Sequence, residues 1–104
     1  MPQPREIEQG LQLQGVDEEL VYRLTTTPWG STPTSPSVVV KDVNQGLIDV
    51  TSTVMPSGSV SVSGDVMTLP TLKSLTENTL YRVEMKFTSG GSVFESYAFV
   101  RCEL

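Results

Sequence analysis

The chain has 104 residues, a formal net charge of −5 and a hydrophobic content of 38%. This size predicts one domain, residues 1–104, and the composition is that of a folded protein rather than a disordered one. Seven scattered basic residues on an acidic chain argue against nucleic-acid binding, and no apolar run is long enough for a membrane helix. The polar start, MPQPRE, predicts no signal peptide, and the single cysteine allows no intrachain disulfide.

Alternation of apolar and polar residues predicts strands throughout the chain, and no stretch of eleven or more residues has helical periodicity. In the first half, strands are predicted near residues 6–13, 18–26, 37–43 and 47–55. Turn signals separate them at Gly15, at residues 44–46 and at residues 56–58. The strands at 37–43 and 47–55 carry few charges, so we expect one of them to be a sheet edge open to pairing.

A loop rich in Pro, Thr and Ser is predicted at residues 26–36. It is longer than most connections, and long loops often carry function. Trp29 lies within it. Tryptophan is enriched in binding hot spots, but a loop tryptophan also folds back to close the end of a β-sandwich core. Both roles stay open for Trp29.

The next segment, residues 59–69, predicts a hairpin whose two-residue turn is Gly64-Asp65. Counting outward from the turn places the apolar residues on one face. The predicted pairs are Ser61 with Thr68, Val62 with Met67, and Val60 with Leu69.

The clearest pattern is a second hairpin, between residues 79 and 102. Gly90-Gly91 separates two alternating strands, and a two-residue loop needs the positive φ that glycine adopts easily. Counting outward gives compatible pairs: Phe87 with Phe94, Lys86 with Glu95, Met85 with Ser96, and Val83 with Ala98. This register points alternate residues of the last strand to the core, namely Phe94, Ser96, Ala98, Val100 and Cys102. Tyr97 and Phe99 then lie on the outer face.

About seven short strands separated by turns predict an all-β antiparallel sandwich. The segment LTENTLYRVEM at residues 75–85 resembles the entry to strand F of fibronectin type III domains. That resemblance implies an immunoglobulin-like fold in which Tyr81 is the tyrosine-corner residue, with a hydroxyl that bonds to upstream backbone. The chain departs from the family because its only tryptophan, Trp29, falls in a loop rather than on the second strand.

A second resemblance covers more of the chain. LVYRL at residues 20–24, PWG at 28–30, VSVSG at 60–64 and the final Tyr-led hairpin look like small immunoglobulin-like structural proteins of tailed bacteriophages. The resemblance implies a capsid, neck or tail component that is made in the host cytoplasm and resides in the virion. Its partners would be other virion proteins or copies of itself.

The residue types that carry catalysis are scarce. The chain has no histidine, which removes the usual general base and the commonest metal ligand, and one cysteine cannot form a structural zinc site. The acidic run Asp17-Glu18-Glu19 is a candidate calcium loop, but a solvated turn is the favoured interpretation. Cys102 is expected to be a buried hydrophobe rather than a reactive thiol. We therefore expect no enzyme, no metal and no cofactor.

Two aromatic residues on a charged sheet face remain as candidate contact residues. Tyr97 and Phe99 either form a contact surface for a partner or pack on the aliphatic stems of Arg82 and Arg101 within a monomer. The sequence therefore predicts a non-enzymatic structural protein that works through protein–protein contacts at Trp29, Tyr97 or Phe99. The alternative is a small recognition module that binds carbohydrate or peptide through the Trp29 loop.

Overall fold

A computed structural model describes residues 12–26, 32–56 and 58–103. This part of the chain is mostly β-strand, with one short α-helix and one 3-10 turn. The strands are β1 (Gln12–Gly15), β2 (Arg23–Thr25), β3 (Thr34–Asp42), β4 (Ile48–Asp49), β5 (Ser61–Ser63), β6 (Val66–Thr68), β7 (Leu80–Ser89) and β8 (Ser92–Glu103). The 3-10 turn is Val43–Gln45 and the helix, α1, is Thr51–Val54. The predicted all-β fold class is confirmed.

The strands form two sheets. One has the order β1-β8-β7-β3-β4, and the other has the order β2-β6-β5. Neighbours are antiparallel except β1, which pairs with the end of β8 in parallel, Gln12 opposite Val100. No helix within the described ranges is long and apolar enough to cross a membrane.

Both sheets contribute to one hydrophobic core. Leu24 and Met67 come from the smaller sheet, and Val40, Val83 and Phe87 come from the larger one. Val54 of α1 and the connecting residues Leu69, Leu72 and Leu75 fill the core between them. Burial of these apolar side chains is the main stabilising contribution to a domain of this size.

The terminal hairpin has the predicted register over its whole length. Phe87 lies opposite Phe94, with ring centroids 5.6 Å apart, and Lys86 lies opposite Glu95. Gly90 and Gly91 adopt φ values of 58° and 80°, as a two-residue hairpin loop requires. Cys102 is completely buried, whereas Tyr97 and Phe99 lie on the outer face.

The smaller hairpin is also confirmed. Ser61 lies opposite Thr68 and Val62 lies opposite Met67, with Gly64-Asp65 as the turn. Met67 is fully buried and Val62 packs partly against the core, so the apolar residues do share one face. The predicted pair of Val60 and Leu69 falls just outside this ladder.

The strand predicted at residues 47–55 is wrong for most of its length. Leu47 has a φ of 65°, a left-handed value that interrupts an extended strand. β4 therefore contains only two residues. Asp49 Oδ1 then accepts hydrogen bonds from the backbone N–H and the hydroxyl of Thr51, at 2.9 and 2.7 Å. These local bonds favour a turn over a strand, and α1 carries Val54 into the core.

Other boundaries differ from the predictions. Of residues 18–26, only Arg23–Thr25 forms a strand, although Leu20 makes an isolated bridge with Leu72. β3 begins at Thr34, within the segment 26–36 that was predicted to be a loop. Gly15 ends β1 and starts the predicted turn, since its carbonyl accepts from the Glu18 N–H at 3.1 Å. The rest of the strand predicted at residues 6–13 lies outside the described residues.

A buried amide connects β1 to distant parts of the chain. The Gln14 side chain is 1% exposed. Its Nε2 donates to the carbonyls of Glu18 and Leu72, at 2.9 and 2.8 Å, and its Oε1 accepts from the Tyr22 hydroxyl at 2.9 Å. A buried polar group is tolerated when its hydrogen bonds are made, and here three are.

Candidate contact surface

The outer face of the larger sheet carries the aromatic residues singled out by the sequence. Three strands build this face, and the register places their outward residues in rows: Lys41–Arg82–Phe99, Val39–Glu84–Tyr97 and Ser37–Lys86–Glu95. All of these residues except Phe99 line an open depression of about 390 Å³, together with Met85 and Ser96. Alternation along the strands is therefore what collects charged and aromatic side chains on one surface.

Glu84 lies at the centre of the surface and is paired with two cations. Arg82 Nε donates to Glu84 Oε2 at 2.7 Å, and Lys41 Nζ lies 3.4 Å from Glu84 Oε1. All three side chains are partly exposed, so solvent screens these ion pairs and each stabilises the fold only modestly. Their main effect is to hold Arg82 in one orientation.

Arg82 in turn lies over an aromatic ring. Its guanidinium carbon is 5.8 Å from the centroid of the Tyr97 ring, within the range of a cation–π contact. Tyr97 meets Phe99 edge to face, with centroids 5.6 Å apart and an interplanar angle of 79°. The aromatic pair is thus pre-arranged on the sheet and remains partly open to solvent. The predicted packing on Arg82 is present, and it leaves the rings accessible.

The described candidate residues other than Tyr97 and Phe99 lie elsewhere. Trp29 is outside the described residues. The acidic run at residues 17–19 forms a turn in which Glu18 Oε1 accepts from the Gly15 backbone N–H at 2.6 Å. In the described ranges, no group of three His, Cys, Asp or Glu side chains is placed to hold a metal ion. Burial, and then the charge of Glu77, raise the pKa of the Cys102 thiol above its ordinary value.

Sequence reasoning predicted a charged sheet face around Tyr97 and Phe99 but missed the contribution of β3 to it. The hairpin register alone places Arg82 opposite Phe99. The pairing of β3 with β7, which brings Lys41 to Glu84, joins segments that are distant in the chain and has no local signal. β4 is the outermost strand of the larger sheet, as expected for one of the two segments predicted as an edge, but it has only two residues. The Thr51 hydroxyl accepts from the Val40 N–H at 2.8 Å, and Val50 N–H donates to the Val40 carbonyl. Together with β4, these contacts close the outer edge of β3 near Val40.

In comparisons with known proteins, the chain matches no family model, no curated protein and no solved structure.

Proposed function

We propose that this chain is a non-enzymatic structural protein that acts through protein–protein contacts, as a virion component of a tailed bacteriophage. The observation that carries the contact role is the Tyr97–Phe99 pair, which is partly exposed on a sheet face with Arg82 over the Tyr97 ring. Aromatic residues and arginine are the types enriched at the centres of protein interfaces. Because the rings are already fixed, little side-chain entropy is lost when a partner covers them.

The proposal includes an immunoglobulin-like sandwich. The order β8-β7-β3-β4 corresponds to strands G, F, C and C′ of variable-type immunoglobulin domains, and β2-β6-β5 corresponds to B, E and D. Tyr81 then falls near the start of strand F. Its hydroxyl accepts a hydrogen bond from the Thr76 backbone N–H at 2.8 Å, the contact expected of a tyrosine corner. Topology and a local contact therefore support the same fold type independently.

The virion role rests on the resemblance to phage structural proteins and on the contact surface. Its direct test is mass spectrometry of purified particles of the phage that encodes the chain. We expect the protein in stoichiometric amounts. Its absence from particles would refute the virion role.

The contact role has a separate test, with the double substitution Tyr97→Ser and Phe99→Ser. We expect normal folding and at least about tenfold less incorporation into particles, since truncation of a hot-spot residue costs about 2 kcal/mol or more and about 1.4 kcal/mol is a tenfold change in affinity. The matched control is Val21→Ser with Ile48→Ser, which removes exposed apolar side chains from outside the surface. Normal incorporation of the Tyr97/Phe99 variant would refute the contact role of this surface.

A further inference from the structure

The outer face of the larger sheet carries most of the positive charge of an acidic chain. Of the seven basic residues, four project from this face: Lys41, Arg82, Lys86 and Arg101. Of the twelve acidic residues, two lie among them, Glu84 and Glu95, and two more border the face, Asp49 and Glu103. The face is therefore locally positive although the whole chain has a net charge of −5.

The positive charges around Tyr97 stand in two rows across the strands. Lys41 and Arg82 form one row, and Lys86 lies four residues along β7 from Arg82. At about 3.3 Å per residue, the two rows are about 13 Å apart. Lys41 and Arg82 share a single carboxylate, that of Glu84, and Lys86 forms no ion pair within the described ranges. Both rows therefore have N–H donors left for the carboxylates of a partner.

The row between the cations is apolar on both sides. Val39 and Tyr97 flank Glu84 there, and all three side chains are partly exposed. Glu84 repels a second acid at this position, whereas its neighbours favour an apolar group. The depression lies over β3, β7 and β8, and the backbones of the outer two are about 10 Å apart. A helix with its side chains is about 10–12 Å wide, so an extended segment fits the depression better.

We propose that this face binds an extended acidic segment of a different protein, with acidic residues at positions i and i+4 and an apolar residue at i+2. The inference rests on the proposed contact role and names the chemistry of the partner. In an extended segment these three side chains project to the same side at intervals of about 7 Å. The acids then reach the two rows of cations while the apolar residue meets Val39 and Tyr97. Charge complementarity of this kind steers association and fixes its register.

A second copy of this chain lacks the required pattern. No two of its twelve acidic residues are four positions apart. Placing the same face of two copies together would also set their cations against each other, which disfavours a symmetric pair. Both arguments favour a different protein as the occupant.

The test is NMR spectroscopy of the isotope-labelled full chain with a short synthetic peptide whose ends are blocked. The peptide has two glutamates four residues apart, a leucine midway, and threonine or serine elsewhere. We expect amide shifts confined to β3, β7 and β8 at up to about 5 mM peptide. One control peptide replaces both glutamates with glutamine, and another places them three residues apart, on opposite sides of an extended chain. Each control should bind at least about fivefold more weakly.

Substitutions in the chain test the same contacts from the other side. Lys86→Gln should weaken binding of the glutamate peptide at least about threefold, and Lys41→Gln should do so at the other row. Glu84 keeps its bond from Arg82 in the second variant, so both variants should fold normally. The matched control is Lys73→Gln, which removes the same charge from outside the face, where Lys73 pairs with Glu19. Its affinity for the peptide should be unchanged.

The outcomes separate this inference from the proposed function. Absence of shifts at about 5 mM peptide, equal binding of a control peptide, or shifts outside the face each refute the acidic segment. Shifts of the face that grow with protein concentration alone assign it to a second copy and also refute the proposal. If the peptide fails while the Tyr97/Phe99 variant is lost from particles, the contact role stands with a partner of other chemistry. If the peptide binds as expected and the protein is absent from particles, only the virion role is refuted.

Discussion

The hydroxyl of Tyr81 accepts a hydrogen bond from the backbone N–H of Thr76, at 2.8 Å, across the turn that leads into β7. The Tyr81 side chain is buried, so this bond satisfies a hydroxyl that water cannot reach easily. It also fixes the connection between Leu75, which lies in the core, and the start of the longest hairpin. One side chain thus sets the direction in which β7 leaves the turn.

Tyr81→Phe should destabilise the fold by about 1–2 kcal/mol, because the Thr76 N–H loses its partner while the ring stays in place. The free energy of unfolding, from urea denaturation, is the measurement. Tyr97→Phe is the matched control, since this hydroxyl lies on the outer face, and its effect should stay within about 0.5 kcal/mol. Equal losses in both variants would contradict a special role for Tyr81.

The parts of the fold that sequence predicted well are local. The register of β7 and β8 follows from two glycines and from the residues beside them, because a two-residue loop leaves one way to pair the strands. The outward position of Tyr97 and Phe99 follows from that register alone. The same reasoning located the smaller hairpin from Gly64-Asp65.

What sequence could not predict depends on long-range contacts or on side-chain hydrogen bonds. The β-branched residues of α1 favour a strand by propensity, but the Asp49–Thr51 bonds and the burial of Val54 favour a turn. The parallel pairing of β1 with β8 and the bond from Gln14 to Leu72 have no local signal. The ion pair between Lys41 and Glu84 could be predicted only with the position of β3.

Gln14→Leu should cost about 2–4 kcal/mol, because the carbonyl of Leu72, together with the Glu18 carbonyl and the Tyr22 hydroxyl, loses a hydrogen-bond partner. Gln12→Leu, on the same strand, is the control and should have a small effect. A double-mutant cycle with Tyr22→Phe should show coupling between the two side chains. Strict additivity would mean that the Tyr22–Gln14 bond does not contribute to stability.

Ionisation of the Tyr22 hydroxyl should make the protein less stable in strong base. Burial, followed by the charge of Glu18, raises the pKa of the Tyr22 hydroxyl above its ordinary value of 10.0. Above pH 10 the unfolded chain loses this proton before the folded chain does, so the stability contribution is full below pH 10 and declines above it. Urea denaturation from about pH 9 to about pH 11 should show a shallower decline for Tyr22→Phe than for the original chain. Parallel declines would contradict the raised pKa.

Protonation of the Asp49 carboxylate should make the protein less stable in acid. The backbone N–H and the hydroxyl of Thr51 both donate to its Oδ1, and these bonds lower the pKa of the carboxyl below its ordinary value of 3.8. A lowered folded-state pKa contributes stability above 3.8, and the contribution is lost as the pH falls toward the folded-state value.

Asp49→Asn keeps an oxygen acceptor for Thr51 but cannot ionise, so it isolates the effect of the charge. We expect it to be less stable than the original chain at neutral pH, with the difference shrinking as the pH falls below about 4. Urea denaturation between neutral pH and about pH 2.5 measures that difference. Asp17→Asn, which removes an exposed carboxylate from the turn after β1, controls for the change in net charge. Because the Thr51 hydroxyl also accepts from the Val40 N–H, weakening its bond to Asp49 by removing the charge should loosen the edge of β3. Hydrogen exchange at Val40 should accordingly accelerate in Asp49→Asn and stay unchanged in Asp17→Asn. A pH-independent difference in stability, or unchanged exchange at Val40, would show that Asp49 does not hold this edge closed through its charge.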